Sequence, residues 1–369
     1  MACGNCDRIE EVIGAFDFAG KNVSYERYGS GHINDTFLIK QDADGKEVRY
    51  ILQRMNHDIF KDPVSLMRNV KGVTEFLRAR IEENGGDPER ETLNLVKTKD
   101  GNHYYVDSDN NYWRSYIFIA DATCYNLVEK PEDFYQSGKA FGHFQRLLAE
   151  YPAEELSETI PNFHNTPVRF ETFKQAVKDD VCGRAASVQA EIAFVMDREK
   201  DMAAAQSMLE AGELPLRVTH NDTKLNNIMI DDKTGEAVCI IDLDTIMPGL
   251  SIFDFGDSIR FGANTAEEDE TDLSKVSLSL PLFDIYTKGF LEGCQGKLTE
   301  NEVTMLPMGA KLMTLECGMR FLTDYLQGDT YFKIHRENHN LDRCRTQFGL
   351  VADMEKKWSE MESIVNQYR

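Results

Sequence analysis

The chain has 369 residues, 41% of them hydrophobic and 28% charged, with a formal net charge of −22. That length suits two lobes with a sizeable core, and the apolar content is too high for a disordered chain. The negative charge disfavours nucleic acid and anionic membrane as partners, since both are bound by Lys and Arg that neutralise phosphates. No apolar run of 18 residues is present to span a bilayer.

The N-terminal stretch MACGNCDRIEEVIGAF lacks a basic flank followed by an apolar core, so a cytoplasmic location is expected. The eight cysteines are mostly isolated, as reduced thiols would be, and the CxxC at Cys3 and Cys6 has no second CxxC or nearby histidine pair to complete a zinc set. Residues 23–119 then read as strands: VSYERYG, TFLIKQ, VRYILQRM, LNLVKT, HYYVD and WRSYIFIA alternate, or are rich in β-branched and aromatic residues. Between the first two, YGSGHINDTFLI reads as a turn carrying Gly29 and Gly31, with His32 and Asn34 as polar tips. One helix interrupts the strands, because Met67, Val70, Val73, Leu77 and Ile81 recur at helical spacing, with Pro63 near a first turn and Gly85-Gly86 as a stop. From Pro131 onward the periodicity is helical, broken only around residues 214–243 by two short strands. The expected architecture is α+β, with a β-rich N-terminal lobe over residues 1–119 and a larger helical lobe over 120–369. The linking strand ends at Phe118 and Ile119, beside the cleft where a ligand is expected.

Within the helical lobe, LRVTHNDTKLNNIMIDDKTGEAVCIIDLDT concentrates polar residues between strand-like runs. Asparagine and aspartate suit simple turns, since their side chains bond their own backbone. Here, however, Asp222 precedes Asn227 by five residues, and Asp242 closes the second apolar run, so a hairpin would bring the two clusters face to face. Phosphoryl transfer from ATP needs such a set: a carboxylate that takes or orients the acceptor hydroxyl, and an amide and a second carboxylate that hold Mg2+ against the phosphates.

The pattern H-x-D-x-x-x-x-N followed by I-D-x-D resembles the aminoglycoside phosphotransferase and choline kinase-like superfamily, relatives of the protein kinases. The resemblance implies a bilobal protein-kinase-like fold that binds ATP between its lobes. It implies Asp222 as the catalytic base, Asn227 and Asp242 as magnesium ligands, and His220 as a structural residue. Asp257 would brace the catalytic loop from a helix start. The triplet Asp254-Phe255-Gly256 carries the letters of the kinase Asp-Phe-Gly signature, but it lies 32 residues beyond Asp222, and Asp242 fits the metal position better. Asp244 could face the metal or be solvated. Gly29, Gly31 and His32 would cover the phosphates, with His32 and Asn34 in reach of phosphate or acceptor. Phe118 and Ile119 are further candidate nucleotide contacts. Many kinases carry a lysine on the third strand, whereas YILQRMN has Gln53 there with Arg54 beside it, so either Arg54 or magnesium would neutralise phosphate.

GSGHINDTF, YWRSYIF, IPNFHNTPVRF, LRVTHNDTKLNN and LECGMRFLTDYLQGD are similar to the N-acetylhexosamine 1-kinases of that superfamily. This implies an N-acetylhexosamine substrate phosphorylated at its 1-hydroxyl, with Arg320 as a sugar contact. Alternatively, Arg320 could pair with Asp324 at i,i+4. A choline-like acceptor would call for an aromatic cage, an aminoglycoside for clustered carboxylates, and a non-catalytic nucleotide-binding module would have no need of all three of Asp222, Asn227 and Asp242. Nothing in the sequence sets the oligomeric state.

Overall fold

The computed structural model describes residues 6–29, 33–128 and 130–369, the side chains of Cys6 and Asp7 excepted. Gly31, His32 and Cys3 fall outside the described residues. Helix α1 (Cys6–Ala15) comes first. Sequence reading passed over it, although Ile9, Val12, Ile13 and Phe16 sit at helical spacing and all four are buried.

Strands β1 (Lys21–Arg27), β2 (Asp35–Ala43) and β3 (Lys46–Arg54) follow, then helices α2 (Pro63–Glu83) and α3 (Pro88–Glu91), and strands β4 (Tyr105–Val106) and β5 (Tyr112–Ile117). They form one antiparallel sheet in the order β1-β2-β3-β5-β4. LNLVKT is not a strand of that sheet; Leu95 and Thr98 make only isolated bridges, to Tyr116 and Phe16. Helix α2 begins as expected, with the Asp62 side chain accepting from Ser65 N at 3.0 Å and Pro63 in the first turn, and it stops at Asn84 before Gly85 at φ +76°.

The C-terminal lobe contains β6 (Ala122–Thr123), α4 (Pro131–Leu147), α5 (Thr166–Asp179), α6 (Gln189–Met196), α7 (Glu199–Glu210), β7 (Arg217–Thr219), β8 (Ile228–Asp231), β9 (Ala237–Ile240), β10 (Met247–Gly249), α8 (Ser251–Gly262), α9 (Leu280–Cys294), α10 (Glu300–Thr304), α11 (Leu306–Leu326), α12 (His339–Lys356) and α13 (Trp358–Gln367). A small antiparallel sheet and a larger helical lobe make this the bilobal kinase-like α+β fold. None of the described helices is long and apolar enough to cross a membrane.

Two packing features position the site. The inner face of α2, through Met67, Val70 and Val73, shares a core with Leu243 and Ile246 of the segment after β9, and each such buried side chain stabilises by roughly 1.5–3 kcal/mol. The N-lobe helix is thereby fastened to the segment after β9. Asn69 adds to this, donating to Ile246 O at 2.9 Å and to Ser157 O at 2.7 Å. In the second feature, α8 lies so close to α11 that a Cβ at Gly256 would stand 2.2 Å from the Gly309 carbonyl oxygen. The Asp-Phe-Gly triplet is therefore helical: Phe255 fills the core and Gly256 permits the helix contact.

Candidate active site

The polar loop runs between β7 and β8. Strand β8 pairs with β9, with Ile228 opposite Ile240, so the hairpin returns Asp242 to the loop that holds Asp222 and Asn227. Asn227 Nδ2 donates to the Asp222 carbonyl at 2.8 Å and to Asp222 Oδ2 at 3.2 Å. Its amide nitrogen is thereby committed and its amide oxygen is left for another partner. Lys224 Nζ lies 2.8 Å from Asp222 Oδ1. Burial pulls the Lys224 ammonium down, but the Asp222 charge and hydrogen bond outweigh it and hold it above the usual lysine range.

Asn221 and Asp242 both adopt left-handed backbone, at φ +64° and +58°. These residue types tolerate that region better than most, and the loop is over-determined around them. Asp254, in the first turn of α8, accepts from His220 N at 2.9 Å, Asn221 N at 2.8 Å and Gln145 Nε2 at 2.9 Å. Asp257, one turn on, accepts from Thr223 N at 3.0 Å. Burial pushes the Asp257 carboxyl up, yet the charges of Arg260 and Lys224 prevail and hold it below the usual carboxylate range. The bracing expected of Asp257 alone is thus shared, and Asp254 carries the larger part. His220 is sealed against the rings of Phe141 and Phe144. Its Nε2 faces the Ile241 carbonyl at 2.9 Å, so Nε2 carries the hydrogen and Nδ1 accepts from Asp222 N.

Asp242 is exposed at its surface. The protein packed around its carboxyl and the like charges of Asp244 and Asp222 nevertheless push it up to about 6, opposed by Arg114. A carboxylate so crowded by other carboxylates gains from a cation, and with the Asn227 amide oxygen it offers the hard oxygen donors that suit Mg2+. Among the described residues no three His, Cys, Asp or Glu side chains form a self-contained metal cage.

Asp244 is buried rather than solvated. It forms an ion pair with Arg114 of β5 and accepts from Asn34 Nδ2 at 2.6 Å. Asn34 also accepts from Asn56 N at 3.0 Å, so the start of β2 is tied both to the end of β3 and to the loop after β9. Gln53 pairs across the sheet with Arg114 and Thr36. Its amide donates to Thr36 Oγ1 at 3.1 Å and accepts from Arg114 Nε and Nη2 at 3.0 and 2.9 Å. Arg54 is not brought to this cluster: its exposed side chain is engaged with Asp35, Nε donating at 2.9 Å. Arg114 was passed over in the sequence, where a lone arginine in a strand carries no spacing signal; only the register of β3 and β5 reveals it.

The remaining candidates lie around the same cleft or on α11. Gly29 turns at φ +77° with open space around it. Phe118 stacks edge-on against Tyr28, and the Arg49 guanidinium sits 4.4 Å from its ring centroid; Ile119 is buried. Arg320 makes no ion pair with Asp324. That carboxylate instead accepts from the backbone N–H groups of Thr330, Tyr331 and Phe332 and from Asn340. The Arg320 guanidinium lies within 6 Å of the Phe163, Tyr331 and Phe332 rings. With Arg169, Thr172 and Thr323 it lines a cavity of about 140 Å³. One turn earlier on α11, buried Glu316 bonds His164 at 2.8 Å and Thr166 at 2.6 Å, and the His164 ring packs on Phe253 of α8. A line of contacts thus joins the Arg320 cavity to the helix that braces the Asp222 loop.

A kinase-like lobe pair around a braced acid–amide–acid loop defines a phosphotransferase. Residues 24–275 match the model of the phosphotransferase enzyme family, and the chain belongs to that family. Similar solved structures include an aminoglycoside phosphotransferase from Alicyclobacillus acidocaldarius (TM-score 0.61, 13% identity, covering 97% of this chain and 96% of that one). A microcompartment-associated aminopropanol kinase matches at TM-score 0.56 and 15% identity, over 97% and 98% of the two chains. A spectinomycin phosphotransferase in complex with ADP and its drug matches at TM-score 0.52 and 13% identity, over 98% of both.

Proposed function

We propose that the protein is an ATP-dependent anomeric kinase that transfers the γ-phosphoryl group to the 1-hydroxyl of an N-acetylhexosamine, GlcNAc or GalNAc, with Mg2+ as cofactor. The observation that carries the reading is the pairing of an intact Asp222, Asn227 and Asp242 set with an Arg320 that Asp324 leaves free, its oxygens bonded to backbone N–H groups and Asn340, and that three aromatic rings surround. The motifs that resemble N-acetylhexosamine 1-kinases run over nearly the whole chain and support it.

In this mechanism Asp222 accepts the proton of the sugar 1-hydroxyl as its oxygen bonds to the γ-phosphorus and the bond to the β-phosphate oxygen of ADP breaks. Lys224, 2.8 Å from Asp222 Oδ1, holds that carboxylate in place. Asn227 and Asp242 would hold Mg2+, which supplies neutralisation of the phosphate charge when bound. Asp254 and Asp257 keep the loop in its left-handed turn. Gly29 and Asn34, from the N-terminal lobe, would close on the phosphates.

Solved structures of this fold include kinases named for choline, ethanolamine, aminopropanol and aminoglycosides. Those acceptors are ammonium compounds. Here the guanidiniums of Arg169 and Arg320 line the candidate acceptor cavity beside the Asp324 carboxylate, whose oxygens are taken up by backbone N–H groups and Asn340, and the two guanidiniums would repel an ammonium group. The aromatic rings that could cage a quaternary amine are already occupied by Arg320. A neutral polyol with an acetamido group can instead accept from these fixed donors.

The test is ADP release measured with N-acetylglucosamine, N-acetylgalactosamine, glucose, choline, ethanolamine and kanamycin at equal concentration. The N-acetylhexosamines should support turnover far above the rest; choline or kanamycin as the best acceptor would replace this reading with an amino-alcohol or aminoglycoside kinase.

A further inference from the structure

Protein kinases place a lysine on the third strand and pair it with a glutamate of the following helix, and that pair must be in place for activity. Here no buried lysine–glutamate pair joins the two elements. The third strand carries Gln53, and α2 buries Leu66, Met67, Asn69, Val70, Val73, Thr74, Leu77 and Ile81 but no carboxylate. A buried pair is present nonetheless, one strand over and on a different element: Arg114 of β5, 1% exposed, against Asp244, 3% exposed, two residues past Asp242.

We propose that Arg114 is the positioning cation of the nucleotide site, standing in for the third-strand lysine, and that its ion pair with Asp244 replaces the strand-to-helix pair as the latch between the lobes. The inference rests on the kinase reading above but not on the identity of the acceptor. Gln53 occupies the lysine's place and acts as a splint, gripping two nitrogens of the guanidinium with one amide oxygen and anchoring itself on Thr36. So held, the guanidinium pairs with Asp244 of the loop after β9. Asn34, at the end of the glycine-bearing turn, donates to the other oxygen of Asp244. Asn34, the sheet and the loop after β9 therefore meet on one carboxylate.

The depth of Arg114 decides between two roles. At 1% exposure it has no face left for a phosphate, so it acts through Asp244 rather than by touching nucleotide. Its charge also opposes those of Asp244 and Asp222 around Asp242. Without it the three carboxylates of Asp222, Asp242 and Asp244 would have only Lys224, on Asp222, as a cation beside them, and an anionic triphosphate would be repelled. A neutral nucleoside would not be.

The experiment compares calorimetric binding of ATP with Mg2+ and of adenosine to the unmodified protein, Arg114→Met and Arg114→Lys, without sugar. The expected result for Arg114→Met is ATP affinity weakened about tenfold or more with adenosine within about twofold, and for Arg114→Lys a smaller, partial loss. ATP affinity unchanged in a cooperatively folded Arg114→Met overturns the proposal, as does an equal loss for both ligands, which marks a merely structural arginine. Should Arg114→Met fail to fold, Arg114→Lys decides alone: an unchanged ratio of ATP to adenosine affinity overturns the proposal. Failure here leaves the kinase reading standing, since that depends on Asp222; an unmodified protein that binds no ATP would sink both.

Discussion

The carboxylate of Asp254 receives the backbone N–H of His220 at 2.9 Å, with the N–H of Asn221 on its other oxygen at 2.8 Å. An aspartate that carries the letters of a metal-binding signature is thus spent on holding the Asp222 loop. In Asp254→Asn an amide donor would face one of those N–H groups, and each buried donor left unpaired costs about 1–3 kcal/mol. The expected outcome is a lower unfolding temperature and a reduced kcat with the half-saturating Mg2+ concentration unchanged. A raised Mg2+ requirement would return Asp254 to the metal.

Asp242→Ala is expected to do the reverse. Loss of a hard-cation ligand should raise the Mg2+ needed for ATP binding while leaving the fold intact, because Asp242 faces the cleft and braces nothing. Superimposable Mg2+ titrations of variant and parent would move the ligand elsewhere.

The loop and its hairpin were legible because their logic is short-range: a five-residue spacing from Asp222 to Asn227 and a two-strand return to Asp242. Helix α2 was equally plain from its apolar spacing, proline start and double-glycine stop. What escaped was tertiary. The Gln53 splint joins strands 61 residues apart in sequence, and Gln145 meets Asp254 across 109. Asp244 is legible in sequence as either metal-facing or solvated, and the structure buries it rather than solvating it, because its partner Arg114 lies on the opposite lobe. Helix α1 was missed for a simpler cause: its apolar spacing was present but was read only for a targeting signal.

Arg320→Ala should weaken the sugar and spare ATP. A hydrogen bond from a charged donor is worth roughly 1.5–3 kcal/mol, or about tenfold or more in apparent sugar affinity. Since Asp324 is satisfied by backbone N–H groups rather than by Arg320, the unfolding temperature should change little. An unchanged KM for sugar in the folded variant would remove Arg320 from the acceptor site.

His143 on α4 sets a pH dependence of stability. Burial, then the charges of Arg146 and Lys139, push its pKa down to about 4, and its Nε2 accepts from Arg146 Nη2 at 2.8 Å. In the unfolded chain the ring titrates near its ordinary value, so between that value and about 4 the unfolded state binds the extra proton. Above the ordinary value His143 contributes nothing; stability then falls as pH drops, by about 3 kcal/mol in all. In His143→Gln the loss of stability between pH 7 and pH 4.5 should be smaller by a comparable amount; denaturant midpoints that fall in parallel for variant and parent would refute the assignment.

The most direct measurement is phosphorus NMR of the product formed from ATP, Mg2+ and N-acetylglucosamine or N-acetylgalactosamine, by the unmodified protein and by Asp222→Asn. The amide keeps the shape of the loop but cannot take the hydroxyl proton, and general base catalysis contributes about 10²–10⁴ in rate. The expected result is a sugar phosphate whose phosphorus couples to the anomeric proton, formed by the parent and all but lost in Asp222→Asn, which still binds ATP. Phosphate on any other hydroxyl, or near-normal product from the Asp222→Asn variant, would contradict it.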